Sequence, residues 1–249
     1  MTVVLVHGVP ETDAVWCPLR QELGRDDVVA LSPPGFGALV PAGFGATYPE
    51  YRNWLIGELE KFDAPVDLVG HDWGGGHVVH VAMTRPDLLR SWVTDVIGVY
   101  DPDYVWHDMA RTWQQPGAGE ELVNAWMDAP PEQWVRRLVE RGVAPGVARD
   151  MSLGRGGAMG RCILALYRSA AQPELRKLGE HLPAAARRPG LAVLATEDHD
   201  VGSVDMRQRS AARAGCRLAV VEGLGHWWMV QDPARGAVAL SNFWQSLEG

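Results

Sequence analysis

The 249-residue sequence has few cysteines, and no two of them lie close together in the chain. Its three cysteines, Cys17, Cys162 and Cys216, are odd in number and widely spaced. This pattern excludes a disulfide framework and a zinc site built on paired cysteines. The first residues also lack the basic start and the long apolar stretch of a signal peptide. We therefore expect free thiols and a cytoplasmic location.

Long apolar runs and an excess of basic side chains are also missing. No segment approaches the ~18 uninterrupted apolar residues that a membrane-spanning helix needs, so no membrane partner is predicted. The 31 acidic residues outnumber the 23 basic ones and give a net charge of −8, which argues against a nucleic-acid partner. The 47% of hydrophobic residues is typical of a globular protein with a sizeable core.

Six short apolar segments recur along the chain, with helical patterns between most of them. Such segments are typical of strands that are buried on both faces of a parallel sheet. The predicted strands are residues 2–7, 27–31, 66–70, 92–97, 191–195 and 217–221. The clearest helix is predicted over residues 47–62, where Thr47 and Glu50 form a capping box and Pro49 lies in the first turn. The alternation predicts an α/β fold with a mostly parallel sheet of about six strands and helices on both faces.

One long stretch interrupts this alternation. Residues 100–183 contain helical patterns, glycine-rich breaks and four tryptophans, but no strong strand pattern. We interpret them as a helical insertion between two strands of one sheet. The predicted organisation is therefore a core of residues 1–99 and 184–249, interrupted by an insertion of residues 100–183.

The strongest local motif is Gly70-His71-Asp72-Trp73-Gly74, between a predicted strand and a predicted helix over residues 74–84. It has the Gly-x-nucleophile-x-Gly pattern of a nucleophile elbow, with Asp where Ser is more common. The helix amino terminus would stabilise negative charge on Asp72. The alternative is that Asp72 only caps the helix. Three histidines near the motif are expected to pack or to face solvent: His71, His77 and His80.

Two other segments follow predicted strand ends. His7-Gly8-Val9-Pro10 follows the first strand and would supply one backbone donor of an oxyanion hole, the N–H of Val9. The N–H of Trp73, the residue after the nucleophile, would be the other donor. His226 lies in a glycine-containing segment after the last strand, where the base of a catalytic triad is expected.

The acid partner of His226 is expected after the fifth predicted strand. Three carboxylates compete there, Glu197, Asp198 and Asp200. We choose Asp198, with Asp200 as the alternative. The chain order Asp72, Asp198, His226 is then nucleophile, acid, base, which is the order of α/β-hydrolases.

These motifs together resemble the α/β-hydrolase superfamily over nearly the whole chain. The His-Gly-x-Pro loop and the Gly-His-Asp-Trp-Gly-Gly elbow resemble its Asp-nucleophile branch, the epoxide hydrolases and haloalkane dehalogenases. The resemblance implies an α/β-hydrolase fold in which the helical insertion is a cap over the pocket. It also implies a hydrolase that needs no cofactor and no metal.

Within the cap, Ala165-Leu166-Tyr167-Arg168 resembles the segment that carries one of two acid tyrosines in epoxide hydrolases. The resemblance implies this role for Tyr167. The second tyrosine would fall near Met109, which cannot donate a proton. Either the second role is absent or another residue near this position takes it: Tyr104, His107 or Asp108.

The implied reaction uses a carboxylate because it is already a nucleophile at pH 7. Asp72 would attack a saturated carbon of a small apolar or aromatic organic substrate, and water activated by His226 would hydrolyse the resulting ester. Tyr167 favours an epoxide as substrate. The alternatives are a haloalkane dehalogenase, a lyase or cyclase with Asp72 as base, and a ligand-binding protein without turnover. A homo-oligomer is compatible with the sequence.

Overall fold

The computed structural model describes residues 1–248, which form one six-stranded parallel sheet with helices on both faces. The sheet order is β2-β1-β3-β4-β5-β6. The strands are β1 (Val3–Val6), β2 (Val28–Leu31), β3 (Val66–Gly70), β4 (Leu89–Thr94), β5 (Gly190–Ala195) and β6 (Arg217–Val221). The predicted fold class, an α/β-hydrolase fold with about six strands, is confirmed.

Twelve α-helices lie in the described chain. They are α1 (Cys17–Leu23), α2 (Tyr48–Leu59), α3 (Trp73–Thr84), α4 (Asp108–Gln114), α5 (Ala118–Met127), α6 (Pro131–Glu140), α7 (Pro145–Ser152), α8 (Gly157–Ser169), α9 (Glu174–Gly179), α10 (Val204–Arg213), α11 (Trp228–Gln231) and α12 (Pro233–Gln245). The predicted helix over residues 47–62 is confirmed as α2. The Glu50 carboxylate accepts the Thr47 backbone N–H at 3.1 Å, as the capping box requires.

The sheet separates two hydrophobic cores. Along β1, Val4 and Val6 point into the core that contains helices α2 and α3. Val3 and Leu5 point into the other core, together with side chains of α1 and α12. Because helices cover both faces, every position of this strand is apolar, which explains the continuous apolar segments in the sequence.

The fourth strand was placed too late by the sequence pattern. The prediction of residues 92–97 is wrong at both ends, since β4 is Leu89–Thr94 and a 3₁₀ turn begins at Ile97. The start of β4 is hidden by two polar residues, Arg90 and Ser91. Both donate hydrogen bonds to the fully buried carboxylate of Asp67 on β3, with an Arg90 Nη2 to Asp67 Oδ2 distance of 2.5 Å.

The chain between β4 and β5 forms only helices and turns within the described residues, from α4 to α9. Residues 100–183 lie within this stretch, and the boundaries of a separate cap remain a prediction. None of the helices in residues 1–248 is long and apolar enough to cross a membrane.

The sheet order places one crevice at the centre of the molecule. The chain goes from β1 outward to β2 and then returns to the other side of β1 as β3. In parallel α/β sheets, ligands bind at the carboxyl ends of strands where the order reverses in this way. The loops after β1 and β3 carry Val9 and Asp72, so the fold brings both predicted segments to this crevice.

Candidate active site

Asp72 occupies a strained turn between β3 and α3. Its backbone has φ 50° and ψ −127°, a conformation that residues other than glycine rarely adopt. The turn is tight because helix α3 starts directly against β1. A Cβ atom on Gly74 would lie 2.1 Å from the backbone oxygen of Val6, so only glycine fits there. This geometry is that of a nucleophile elbow, as the motif predicted.

The loop after β1 holds one oxygen of the Asp72 carboxylate. The backbone N–H of Val9 donates to Asp72 Oδ2 at 2.9 Å. A side chain at Gly8 would exclude this contact, because its Cβ would lie 2.2 Å from the same oxygen. Trp73 is the first residue of α3, so its N–H has no partner within the helix. The structure thus places the Val9 N–H on the Asp72 carboxylate, and it leaves the Trp73 N–H without a partner in the helix; the role of Trp73 as the second donor stays a prediction.

His226 is brought to the other carboxylate oxygen. Its Nε2 lies 3.9 Å from Asp72 Oδ1, and its Nδ1 lies 2.9 Å from Asp198 Oδ2. Asp198 is almost completely buried, and its second oxygen accepts the backbone N–H of Asp200. The Asp200 side chain is paired with Arg141 instead, since its Oδ2 lies 2.6 Å from the Arg141 guanidinium. The structure therefore joins Asp198, and not Asp200, to the imidazole.

Burial and neighbouring charges set the protonation of this group. Burial raises the pKa of Asp72 to about 6, against the opposing effect of His226. Burial disfavours the charged form of His226, but Asp198 outweighs it and, with Asp72, raises the pKa of His226 to about 9. Burial opposes ionisation of Asp198, yet His226 lowers its pKa to about 2. At pH 7 the site is a carboxylate, an imidazolium and a carboxylate in a row.

Two small cavities meet at Asp72, each with a volume of about 30 Å³. One water molecule needs a cavity of roughly 10–15 Å³ on the same measure, so each cavity has room for only a small group. Both are lined by the same four residues: Asp72, His107, Tyr167 and Asp200. Their walls include the rings of Tyr48, Trp73, Tyr100, Tyr104, Trp106, Trp113 and Trp227.

Tyr167, on helix α8, lines both cavities together with Asp72. Its ring is perpendicular to that of Trp73, with centroids 5.0 Å apart, and it also packs against Trp106 and Trp113. Burial raises the pKa of Tyr167 well above its ordinary value, and the charge of Asp72 raises it further. The hydroxyl therefore remains protonated and is suited to donate a hydrogen bond in the cavity.

Of the residues proposed to replace a second tyrosine, His107 has the suitable position. Its Nδ1 accepts the backbone N–H of Ala110 at 3.2 Å, so the neutral ring carries its proton on Nε2. His107 lines both cavities, whereas the Tyr104 hydroxyl is committed to the Asp200 backbone oxygen at 3.0 Å. Asp108 is 93% exposed and pairs with Arg111. Met109 lines the cavity on the His226 side.

The sequence reasoning missed a second cluster directly behind Asp72. His71, expected only to pack or face solvent, lies between the buried carboxylates of Glu11 and Asp95. Asp95 follows the end of β4, at the same sheet edge as the other site residues, and this position was the only available signal. His77 is buried among the rings of Tyr48 and Tyr51, as a packing role requires.

Two groups of side chains bring three metal-ligating atoms within 4.8 Å of one another: Glu11, His71 and His226, and also Asp198, Asp200 and His226. In both groups the imidazoles already hydrogen bond to carboxylates. The arrangement is that of an ion-pair network.

Comparisons with known proteins find relatives of part of the sequence and of the fold. Over 100 residues, the chain is 30% identical to (E)-2-((N-methylformamido)methylene)succinate hydrolase from Acinetobacter baylyi, covering 39% of this chain and 38% of that protein. Over 95 residues it is 30% identical to an epoxide hydrolase from Caballeronia sordidicola, covering 36% and 29%. The chain therefore matches less than two fifths of the length of either relative.

Among solved structures, a haloalkane dehalogenase from Bradyrhizobium elkani has a TM-score of 0.71 at 18% identity, covering 99% of this chain and 90% of that one. At this identity the likeness concerns the fold. The sequence profile described as "Alpha/beta hydrolase family" matches residues 3–239, nearly the whole sequence. The chain belongs to the alpha/beta hydrolase family.

Proposed function

We infer that this protein is a cofactor-free hydrolase that opens an epoxide through an ester formed on Asp72. One observation carries the proposal: a carboxylate, rather than a hydroxyl, occupies the elbow, with His226 Nε2 3.9 Å from its Oδ1. A carboxylate needs no base for the first attack, so the imidazole is available for a second step. The Tyr167 hydroxyl and the His107 N–H are suited to donate hydrogen bonds to the oxygen that leaves.

In the first step, an oxygen of Asp72 attacks a saturated carbon of the epoxide, and the carbon–oxygen bond of the ring breaks. The epoxide oxygen takes a proton from Tyr167 while His107 donates a hydrogen bond to it. An alkoxide leaves poorly unless it is protonated, which is the reason for an acid in the cavity. The product is a hydroxyalkyl ester of Asp72, and solvent returns the proton to Tyr167.

In the second step, water attacks the carbonyl carbon of the ester and gives its proton to His226. Esterification removes the negative charge of Asp72, one of the groups that raise the pKa of His226, and so favours the neutral imidazole that this step needs. The N–H groups of Val9 and Trp73 hold the oxyanion, each contributing about 3–4 kcal/mol in the transition state. When the intermediate collapses, the bond from the Asp72 carbon to the alkoxide oxygen breaks and His226 returns its proton to that oxygen, which gives the diol. The Asp72 acid then loses its proton to solvent and is a carboxylate again.

The test is a trapped intermediate. His226→Gln blocks the second step, so its intact mass should increase by the mass of one epoxide after incubation with small aliphatic and aryl epoxides. His199→Gln is the matched control, because His199 is 80% exposed and follows Asp198 directly. In a single turnover of wild type in ¹⁸O-labelled water, the label should enter Asp72. An unlabelled Asp72, with the label only in the product, would instead support a role for Asp72 as a base.

A haloalkane dehalogenase is the second candidate, and a specific observation favours it. The indole N–H groups of Trp106 and Trp113 are buried without a hydrogen-bond partner in residues 1–248, and both rings line the cavities. Indole N–H donors suit a leaving halide, which needs no proton. Chloro- and bromoalkanes of the same size as the epoxides separate the two functions. Tyr167→Phe should slow epoxide opening and leave halide release unchanged.

A ligand-binding protein without turnover would behave differently in all these assays. Wild type would bind the compounds and release neither diol nor halide, and Asp72→Asn would leave the affinity unchanged.

A further inference from the structure

Behind the elbow, an imidazole lies between two carboxylates and is sealed from solvent. His71 Nε2 lies 3.0 Å from Glu11 Oε1, and His71 Nδ1 lies 2.5 Å from Asp95 Oδ2. Glu11 and His71 are 0% exposed and Asp95 is 3% exposed. Because both ring nitrogens face carboxylate oxygens, both carry protons and His71 is an imidazolium. Burial opposes this charge, but Glu11 and Asp95 raise the pKa of His71 well above its ordinary value.

The outer oxygens of the two carboxylates hold the backbone of two catalytic loops. Glu11 Oε2 accepts the N–H of Gly8 at 3.0 Å, in the loop that presents the Val9 N–H. Asp95 Oδ1 accepts the N–H of Asp72 at 3.0 Å, at the strained residue itself. A charged acceptor makes each of these hydrogen bonds stronger than a neutral one would.

The inner oxygens also hold the segment that carries His226. The Trp227 indole donates to Glu11 Oε1 at 2.5 Å, and the Trp228 indole donates to Asp95 Oδ2 at 2.8 Å. These two residues follow His226 directly in the chain. The His71 and His226 rings are neighbours, with centroids 4.7 Å apart.

We propose that Glu11, His71 and Asp95 form a positioning cluster that fixes the oxyanion loop, the nucleophile and the base relative to one another. None of the three lies in a cavity wall, so they act through Gly8, Asp72 and the two tryptophans. A buried ionic cluster is weak as a source of stability, since apolar residues of similar volume often serve as well. Here the hydrogen bonds from the cluster to the rest of the chain all go to segments that carry catalytic groups, at Gly8, Asp72, Trp227 and Trp228. Holding these segments in place explains why the cluster is ionic. The inference rests on the proposed function, because it assigns these segments to one reaction.

The first test uses wild-type protein and no substrate. In ¹⁵N-correlated spectra of the histidine side chains, both nitrogens of His71 should carry protons from pH 6 to pH 9, with the signals assigned by their loss in His71→Asn. A His71 ring that is neutral at pH 7 would overturn the proposal. This measurement stands even if wild type opens no epoxide and releases no halide, an outcome that would overturn the proposed function alone.

The second test compares variants. Glu11→Gln and His71→Asn should fold and lose 10-fold to 100-fold in kcat, because the nucleophile, the oxyanion loop and the base are no longer aligned. KM should stay within threefold of wild type, because the side chains that line the cavities are unchanged. His71→Asn should also raise the pKa of His226 by at least half a unit, since it removes a neighbouring positive charge. The charged and titratable groups facing His226 in this titration are Asp72, Asp198, Asp200, Glu11, His71, His107 and Arg141.

His77→Asn is the control for damage to packing, because His77 is also buried on the helix that follows Asp72 and has no link to the cluster. It should lower stability and leave kcat and the pKa of His226 unchanged. Should either cluster variant fail to fold, Trp227→Phe removes one indole donor and should lower kcat in the same way. Folded variants with kcat within twofold of wild type and an unmoved His226 pKa would refute the positioning role.

Discussion

The Oδ2 atom of Asp198 lies 2.9 Å from Nδ1 of His226, and this hydrogen bond directs Nε2 of the same ring toward Asp72. Asp198→Asn should therefore lower kcat by roughly 10³-fold or more, as expected when a triad acid no longer fixes the tautomer and the cation of its histidine. The loss should fall on hydrolysis of the ester, so the covalent adduct should accumulate and be visible by mass spectrometry.

Asp200→Asn is the matched control, because Asp200 lies two residues away and pairs with Arg141. Asp200 also lines both cavities, but its variant should lose far less kcat than Asp198→Asn, because the hydrogen bond to His226 is kept. Equal losses in the two variants would contradict the assignment of the acid to Asp198.

The activity should depend on pH through the nucleophile. Burial raises the pKa of Asp72 to about 6, and only the ionised carboxylate can attack. The value of kcat/KM should therefore fall tenfold per pH unit below pH 6. A midpoint near 4, the ordinary value for Asp, would mean that burial does not act on Asp72 as described. Initial rates across pH 4.5–8 provide the measurement.

Replacing the nucleophile should stabilise the protein. The pKa of Asp72 is higher in the folded state, about 6, than its ordinary 3.8, so folding favours the protonated form. Its stabilising contribution is complete below pH 3.8 and is lost as the pH rises through 6. At pH 7.5, Asp72→Asn should then raise the free energy of unfolding by about 1–3 kcal/mol.

Urea titrations at several pH values test the sign. The advantage of Asp72→Asn should shrink as the pH falls from 7.5 toward 4, since the wild-type side chain then becomes neutral too. Asp108→Asn serves as the comparison, because Asp108 is 93% exposed and should change stability little at either pH. A nucleophile variant less stable than wild type at pH 7.5 would contradict the account.

Glycine is required at position 8 because a side chain there would collide with the Asp72 carboxylate; the backbone at Gly8 is not in the left-handed region that favours glycine. Gly8→Ala would place a Cβ 2.2 Å from Asp72 Oδ2 and displace the Val9 donor, so kcat should fall at least ~100-fold. Gly146→Ala, in helix α7 with no atom within 4 Å of the added Cβ, should leave activity unchanged and raise stability by up to about 1 kcal/mol. Circular dichroism would establish that both variants fold, and an active Gly8→Ala would show that the Val9 contact is dispensable.

The sequence predicted those parts of the site that have a local pattern. Asp72 lies between two glycines that the tight turn requires, and His226 and Asp198 follow strand ends that meet at one sheet edge. Glu11 and Asp95 have no such pattern. Apart from the Gly8 N–H, their partners are backbone and ring N–H groups distant in the chain, as in the 2.8 Å contact between Trp228 and Asp95, so only the folded structure reveals them.

The strand β4 was misplaced for a related reason. Its second and third residues, Arg90 and Ser91, are polar, and their hydrogen bonds to Asp67 exist only once β3 and β4 are paired. A prediction that relies on apolar residues misses the part of a strand whose polar side chains are buried and hydrogen bonded to the neighbouring strand.

Arg90 should be worth far more to stability than its surface position suggests. Asp67 is 0% exposed and accepts hydrogen bonds from Arg90 and Ser91. Arg90→Ala would leave a buried carboxylate with one donor, so the free energy of unfolding should fall by about 3 kcal/mol or more. Arg85→Ala is the matched control, since Arg85 pairs with the exposed carboxylates of Glu60 and Asp87 and such pairs contribute about 0–1 kcal/mol. If chemical denaturation gives equal losses for the two variants, the Asp67 carboxylate does not depend on Arg90, and the polar start of β4 requires another explanation.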